Sequence, residues 1–179
     1  MKKIFLLLTV LGMVGFTGCT GPQGPPGYPG PPGQDGTNGV ESEVFDLKNI
    51  NFDLIDGKYS IYQTLTPNIL DSDNILIYRM SDLINPTTPI WQLIPRTLFL
   101  AQGELDYDYD FSKQDFQIYA GGTYIITPNS PYVTNQTFRI VIIPGYFSSR
   151  RQSVDLNDYN AVIKAYGLDD THVTVLNSK

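Results

Sequence analysis

The sequence has little of the residues on which most catalytic and metal sites depend. Its 179 residues include one cysteine and one histidine. One cysteine excludes an intrachain disulfide, and one histidine excludes a zinc site built from several histidines. There is no G-x-S-x-G motif, which would mark a nucleophilic serine. We therefore expect no enzyme activity, no metal and no small-molecule cofactor.

Basic residues are also scarce. The chain has 12 Lys and Arg against 18 Asp and Glu, a formal charge of −6. An acidic protein is repelled by nucleic acid and by anionic lipid headgroups. Arg150 and Arg151 form too small a basic patch to reverse this repulsion. We therefore expect no nucleic-acid partner.

The segment from Ile4 to Phe16 is largely apolar but has only 13 residues, too few for a helix to span a bilayer. Lys2 and Lys3 precede it, as in a secretory signal peptide. We expect residues 1–18 to be a removable leader. Its loss takes away two lysines and no acidic residue, so the formal charge of the mature chain becomes −8.

Cys19 directly follows the leader, and the segment Phe16-Thr17-Gly18-Cys19 resembles the bacterial lipobox, although Phe16 departs from the usual leucine or valine. The resemblance implies that Cys19 carries a covalent lipid, that residues 19–20 are the attachment segment, and that the membrane is a partner through the lipid. Thr20 is not the aspartate that retains such lipoproteins at the inner membrane. The resemblance therefore implies an outer-membrane or cell-surface position in a Gram-negative host. The alternative is an ordinary secretory signal in which Cys19 is incidental.

Residues 21–39 form an unbroken Gly-X-Y repeat. Its seven glycines are Gly21, Gly24, Gly27, Gly30, Gly33, Gly36 and Gly39. Only glycine fits at the axis of a collagen triple helix, so the strict phase is the significant feature. The segment resembles bacterial collagen-like proteins over these 19 residues.

The repeat has two interpretations. Three chains can wind into a collagen helix, which would make the protein a homotrimer. Alternatively, each chain is a monomeric polyproline II spacer that reaches on the order of 60 Å at about 3.1 Å per residue. The last three triplets lack proline, and so short a triple helix would be marginal alone. We favour the monomer.

Residues 40–179 have the composition of a globular head, and they alternate with period two as antiparallel strands do. Asp56-Gly57 predicts a hairpin turn. The runs Ile75–Tyr78 and Ile140–Ile143 are apolar on both faces, which indicates interior strands. Strands are expected at 45–47, 50–54, 59–65, 74–80, 90–94, 97–101, 104–111, 116–119, 136–143 and 172–176.

One segment has a helical period. Tyr159, Val162, Ile163 and Tyr166 are spaced i, i+3, i+4 and i+7. We predict a helix that is capped by Asp155, ends at Tyr166, and is followed by Gly167 at C′ and by Leu168 packed on its last turn. The predicted fold class is mainly β, an antiparallel β-sandwich with one C-terminal helix capping an end or edge.

The layout as a whole resembles the small collagen-like lipoproteins of Bacteroidetes-type bacteria. The head segments that carry the resemblance are Leu70–Arg79, Ile90–Pro95 and Asp158–Val162. The resemblance implies a lipid anchor, a short stalk and a β-rich head, and it brings no catalytic residue.

The strand at 104–111 places Glu104, Asp106, Asp108 and Asp110 on one face, here called the acidic stripe, with successive acids roughly 6.5–7 Å apart. We interpret it as a solvated face opposite Lys or Arg on neighbouring strands. The alternatives are calcium, with Asp106, Asp108 and Asp110 as ligands, and glycoside hydrolysis by paired carboxylates. The cluster 71–74 lacks the glycine and glutamate of an EF-hand loop, which predicts a polar turn.

Aromatic residues are the remaining candidates for binding. A platform for sugars could be formed by Tyr28, Trp91, Tyr119, Tyr124, Tyr132 and Tyr146, although packing within the sheets is the default interpretation. His172, which follows Asp169 and Asp170 closely, is predicted to be a surface residue at the head of the last strand.

These features predict a membrane-anchored, non-enzymatic lipoprotein of the bacterial cell envelope with a structural or adhesive role. One alternative is a carbohydrate- or protein-binding module displayed on a stalk, with a glycan or an envelope protein as its partner. Another is a trimeric head of the C1q type, against which the helix argues.

Overall fold

The computed structural model describes residues 43–145 and 154–176. These ranges contain ten strands: β1 (Val44–Ile50), β2 (Asp53–Ile55), β3 (Lys58–Thr64), β4 (Asn74–Asn85), β5 (Thr88–Ile94), β6 (Arg96–Leu100), β7 (Gly103–Phe111), β8 (Asp115–Gly122), β9 (Gln136–Ile143) and β10 (Thr174–Val175). They also contain one short helix, α1 (Tyr159–Tyr166). The chain is therefore mainly β, as predicted. The predicted leader, Cys19, the 21–39 repeat, Tyr28, Tyr146 and Arg150-Arg151 lie outside the described residues.

The strands form two five-stranded sheets. Sheet A has the order β10-β1-β9-β4-β5, and sheet B has the order β2-β3-β8-β7-β6. Neighbouring strands pair antiparallel except β1 and β10, which pair parallel, with Phe45 opposite Thr174. The prediction of antiparallel pairing is wrong for this pair because β10 follows α1 rather than a hairpin turn.

One hydrophobic cluster contains the inward-facing residues of both sheets. Tyr107 of sheet B contacts Phe138 of sheet A with ring centroids 6.3 Å apart, and Phe52 contacts both rings. The alternation in β7 is confirmed for Leu105 and Tyr107, which are buried while the four acids are exposed, but Phe111 at the end of the strand is 40% exposed. The predicted turn is also confirmed, since Asp56 and Gly57 both have positive φ, as a type I′ turn requires.

The interior strands of sheet A are buried on both faces. Ile75–Tyr78 and Ile140–Ile143 are buried throughout, as predicted. A second cluster explains this burial, because it joins outward-facing residues of sheet A, such as Tyr78 and Val141, to Val162 of α1 and to Leu168. The helix therefore covers the outer face of sheet A, and the prediction that it caps an end or edge is wrong.

The predicted N-cap of α1 is also wrong. Asp158, not Asp155, caps the helix, and its side chain accepts a hydrogen bond from the Ala161 N–H at 3.1 Å. Asp155 instead accepts a hydrogen bond from the Asn157 N–H at 3.0 Å, in a local turn that competes with helix formation. At the other end the prediction is confirmed, since Gly167 is left-handed and the Leu168 N–H donates to the Ile163 carbonyl.

The hairpin of β4 and β5 is longer than predicted. Its pairing continues past 80 through irregularities between Met80 and Asp82 and between Leu83 and Asn85. We call residues 81–90 the hairpin arm. The sequence did not predict this extension, because Ser81-Asp82 is polar and positions 86 and 89 are prolines. Proline is tolerated at position 89 because β5 is an edge strand. The last strand is shorter than the predicted 172–176. Within the described ranges, no helix is long and apolar enough to cross a membrane.

Candidate functional site

The acidic stripe lies on the outer face of sheet B. Its neighbours are not the Lys or Arg that we expected, because Asp106 lies opposite Thr97 and Gly121, and Asp110 lies opposite Gln117. The Thr97 hydroxyl donates to Asp106 at 2.5 Å, and the Tyr119 hydroxyl donates to Asp110 at 2.7 Å. Asp106 and Asp110 are therefore hydrogen-bonded to hydroxyl groups rather than paired with cations.

The calcium candidates Asp106, Asp108 and Asp110 do not converge on one point. Among the residues that the structure describes, no group of three or more His, Cys, Asp or Glu could hold a metal ion. His172 lies on the surface two residues before β10, with its Nδ1 3.7 Å from Asp169 and both side chains largely exposed.

The aromatic candidates do not form one platform. Trp91 lies on the outer face of sheet A. Tyr119 and Tyr124 line an apolar groove of about 750 Å³ beside the Asp56-Gly57 turn. Tyr132 shares with Tyr124 a separate pocket of about 600 Å³. The four described aromatics are therefore divided among three places.

A cleft of about 560 Å³ lies between the hairpin arm and the start of α1. We call it the Trp91 cleft. One wall is formed by Ile84, Thr87, Thr88, Pro89, Ile90 and Trp91. The other wall consists of Asn157, Asp158, Tyr159 and Asn160, and Arg139 and Asp170 complete the lining. Its volume is within the range of about 300–1,000 Å³ that is typical of small-ligand sites.

Arg139 is the centre of a hydrogen-bonded network in this cleft. Its Nε and Nη2 donate to the two carboxylate oxygens of Asp46 at 2.7 and 3.0 Å, a bidentate pair. Its Nη1 donates to the Tyr159 hydroxyl at 2.8 Å, and that hydroxyl donates to Asp170 Oδ2 at 2.7 Å. The network therefore joins β9 and β1 to the helix and to the segment that follows it.

Aromatic rings surround the same guanidinium group. Its central carbon lies 4.5 Å from the centroid of the Trp91 ring and 5.5 Å from that of Tyr159. Tyr159 also packs edge-on against Tyr78, with ring centroids 5.3 Å apart. Stacking and hydrogen bonds together fix the orientation of Arg139, Trp91 and Tyr159.

The environment of the cleft keeps its central groups in one protonation state. Burial alone would lower the pKa of Arg139, but hydrogen bonds to Asp46 and Tyr159 outweigh it and raise the pKa overall. Burial is also the main cause that raises the pKa of the Tyr159 hydroxyl well above its ordinary value, and the hydrogen bond to Asp170 adds to it. Near neutral pH, Arg139 is therefore a cation and Tyr159 a neutral hydroxyl.

Sequence reasoning selected Trp91 but missed Arg139, Asp46, Tyr159 and Asp170 as members of a site. One signal was present, because Arg139 interrupts the otherwise apolar run 138–143. A charge on an interior strand requires a partner. The partner could not be identified, since Asp46 is 93 residues away in the sequence.

Comparison with protein-family models, curated proteins and solved structures gives no match for this chain. The functional argument therefore depends on the sequence motifs and on the geometry of the cleft.

Proposed function

We propose that this chain is a lipid-anchored, non-enzymatic lipoprotein of the bacterial cell envelope, of the Bacteroidetes-type collagen-like kind. Cys19 carries the lipid, residues 21–39 form a monomeric spacer, and the two facing sheets form a β-sandwich head with a structural or adhesive role. The head lies at the outer membrane or cell surface. The alternatives are a carbohydrate- or protein-binding module, which the presence of a formed cleft favours, and a trimeric head of the C1q type.

The state of two central groups of the Trp91 cleft, Arg139 and Tyr159, supports the proposal that the head binds rather than catalyses. A general acid or base must exchange a proton near the working pH. Arg139 and Tyr159 both have raised pKa values, and each is hydrogen-bonded within the network. Arg139 and Tyr159 are therefore suited to stabilising the structure of the cleft rather than to transferring a proton.

The lipobox supports attachment to a membrane. Each CH₂ group of a buried acyl chain contributes about 0.8 kcal/mol, and a single chain gives only reversible binding. Lipoproteins of the type that this sequence resembles carry several acyl chains, which makes attachment firm. The spacer then separates the head from the bilayer by up to its extended length.

Fractionation of cells that express the wild-type chain and Cys19→Ser tests the anchor. The wild-type chain should be recovered with membranes and should incorporate an alkyne-labelled fatty acid, whereas Cys19→Ser should incorporate none. Thr17→Ser keeps a small residue in the lipobox and should behave as the wild type. A Cys19→Ser chain that stayed labelled and membrane-bound would refute the proposal.

The oligomeric state has its own test. The Cys19→Ser chain, free of lipid, should have a monomeric mass in sedimentation equilibrium and should show no cooperative collagen transition in a circular-dichroism melt. A trimeric mass that is lost together with such a transition would favour the triple helix.

A further inference from the structure

We propose that the Trp91 cleft binds a neutral saccharide, so that the head attaches to glycans that carry no charge. This inference rests on the proposed adhesive function and names the class of ligand.

One wall of the cleft is apolar and the other is polar, and a sugar ring likewise has an apolar face and a polar edge. On one wall, Pro89 and Ile90 of the hairpin arm and the half-buried Trp91 beside it form an apolar surface, and Ile90 is 39% exposed. The facing wall is lined by the polar residues Asn157 and Asn160. A pyranose has an apolar C–H face and an edge of hydroxyl groups, so it can contact both walls at once.

The polar wall retains hydrogen-bonding capacity. Among hydrogen bonds between described residues, Asp158 accepts one through Oδ1, from Ala161, and Asp170 accepts one through Oδ2, from Tyr159. Each carboxylate keeps a second oxygen that can accept from a sugar hydroxyl. The exposed amide of Asn160 can both donate and accept. A cluster of donors and acceptors of this kind fits neighbouring hydroxyl groups.

The charges of the described residues that line the cleft disfavour an acidic ligand, since they comprise one cation, Arg139, and two carboxylates, Asp158 and Asp170. Arg139 forms the bidentate pair with Asp46, and its Nη1 is also 3.7 Å from Asp170. Asp158 caps the positive end of the α1 dipole. Among the described residues that line the cleft, the one cation, Arg139, is already paired, so nothing there offers a free positive charge to a phosphate, sulfate or carboxylate.

The walls are also held in place before a ligand arrives. Stacking on Arg139 fixes Trp91, while the hydrogen bonds of Tyr159 fix the start of the helix. A preformed site avoids the entropic cost of ordering side chains on binding.

The chain supplies its own reporter, because Trp91 is its single tryptophan. The full Cys19→Ser chain is titrated with neutral oligosaccharides of glucose, galactose, mannose and N-acetylglucosamine, while tryptophan fluorescence and binding heat are recorded. Oligogalacturonate and a heparin oligosaccharide serve as acidic probes. At least one neutral oligosaccharide should change the emission of Trp91 and bind at least about tenfold more tightly than either acidic probe.

Two variants locate the binding. Asn160→Ala keeps the reporter and removes an exposed amide of the cleft, and Trp91→Ala removes the apolar wall and is followed by binding heat. Each should weaken binding of the neutral probe by about tenfold. Asn129→Ala, in the Tyr132 pocket, should leave it unchanged.

The proposal is overturned if no neutral probe binds, if an acidic probe binds more tightly, or if the cleft variants bind as the wild type does. If the wild-type chain is lipid-anchored but no saccharide binds, the cleft proposal is refuted and the anchor proposal stands. If the wild-type chain carries no lipid at Cys19 and the saccharide still binds, the anchor is refuted and the cleft proposal stands.

Discussion

Replacing Arg139 by methionine removes the group that neutralises a nearly inaccessible carboxylate. The Asp46 side chain is 2% exposed, and it loses both hydrogen bonds of the bidentate pair. Removing one partner of a buried ion pair costs about 3–5 kcal/mol, since the other charge is left unpaired. Stacking on Trp91 is lost as well, which adds about 0.5–2 kcal/mol.

Lys48 limits this cost. Its Nζ lies 3.4 Å from Asp46 Oδ2, but its side chain is 49% exposed and can only partly replace a guanidinium group. We therefore expect Arg139→Met to lower the free energy of unfolding by about 4 kcal/mol. For a head of this size, the loss corresponds to a fall in Tm of roughly 10–20 °C.

Urea unfolding of the single and double variants measures the coupling. Arg139→Met and Asp46→Leu should each destabilise the head strongly, while the double variant should cost at least about 1.5 kcal/mol less than the sum of the two. Arg96→Met removes an exposed arginine and should change stability by less than about 0.5 kcal/mol. Additive losses, or a loss below about 1 kcal/mol for Arg139→Met, would show that this network does not hold the cleft together.

Three further predictions concern other parts of the head. A Cβ at Gly122 would lie 2.7 Å from the Glu104 carbonyl oxygen, whereas one at Gly121 meets nothing within 4 Å. Gly122→Ala should therefore lose about 1–3 kcal/mol in urea unfolding and Gly121→Ala much less, and equal losses would contradict the strand register. Asp158→Ala should lower stability by about 0.5–2 kcal/mol through the lost cap, and an effect at Asp155→Ala that exceeds it would restore the cap predicted from the sequence. Burial raises the pKa of Tyr107 to about 12, so its contribution to stability is complete below pH ~10 and falls by about 1.4 kcal/mol per pH unit above it, as the unfolded tyrosine ionises; a Tyr107→Phe head with the same slope from pH 10 to 12 would contradict this assignment.

The strands were predictable where their signal is local. Alternation of apolar and polar residues predicted β7, and continuous apolar runs predicted that β4 and β9 lie inside a sheet. The turn at Asp56-Gly57 was equally local, because its backbone requires positive φ at both positions. Each of these features is decided by residues that are neighbours in the sequence.

The cleft could not be predicted in the same way. It exists because α1 packs on the outer face of sheet A and because the hairpin arm continues beyond the strand that the sequence indicated. The helical period showed that Val162 would be buried but not against which surface. Arg139 and Asp46 meet only because β9 and β1 are neighbours in the sheet, and strand order has no signature in either segment.

The measurement that tests the account most directly is the intact mass and N-terminal peptide of the chain purified from bacterial membranes. The account predicts that residues 1–18 are absent, that the chain begins at Cys19, and that this residue carries the added mass of acyl chains. A free thiol at Cys19, or a chain that begins at another residue, would contradict the claim that a lipid anchor presents this head at the envelope.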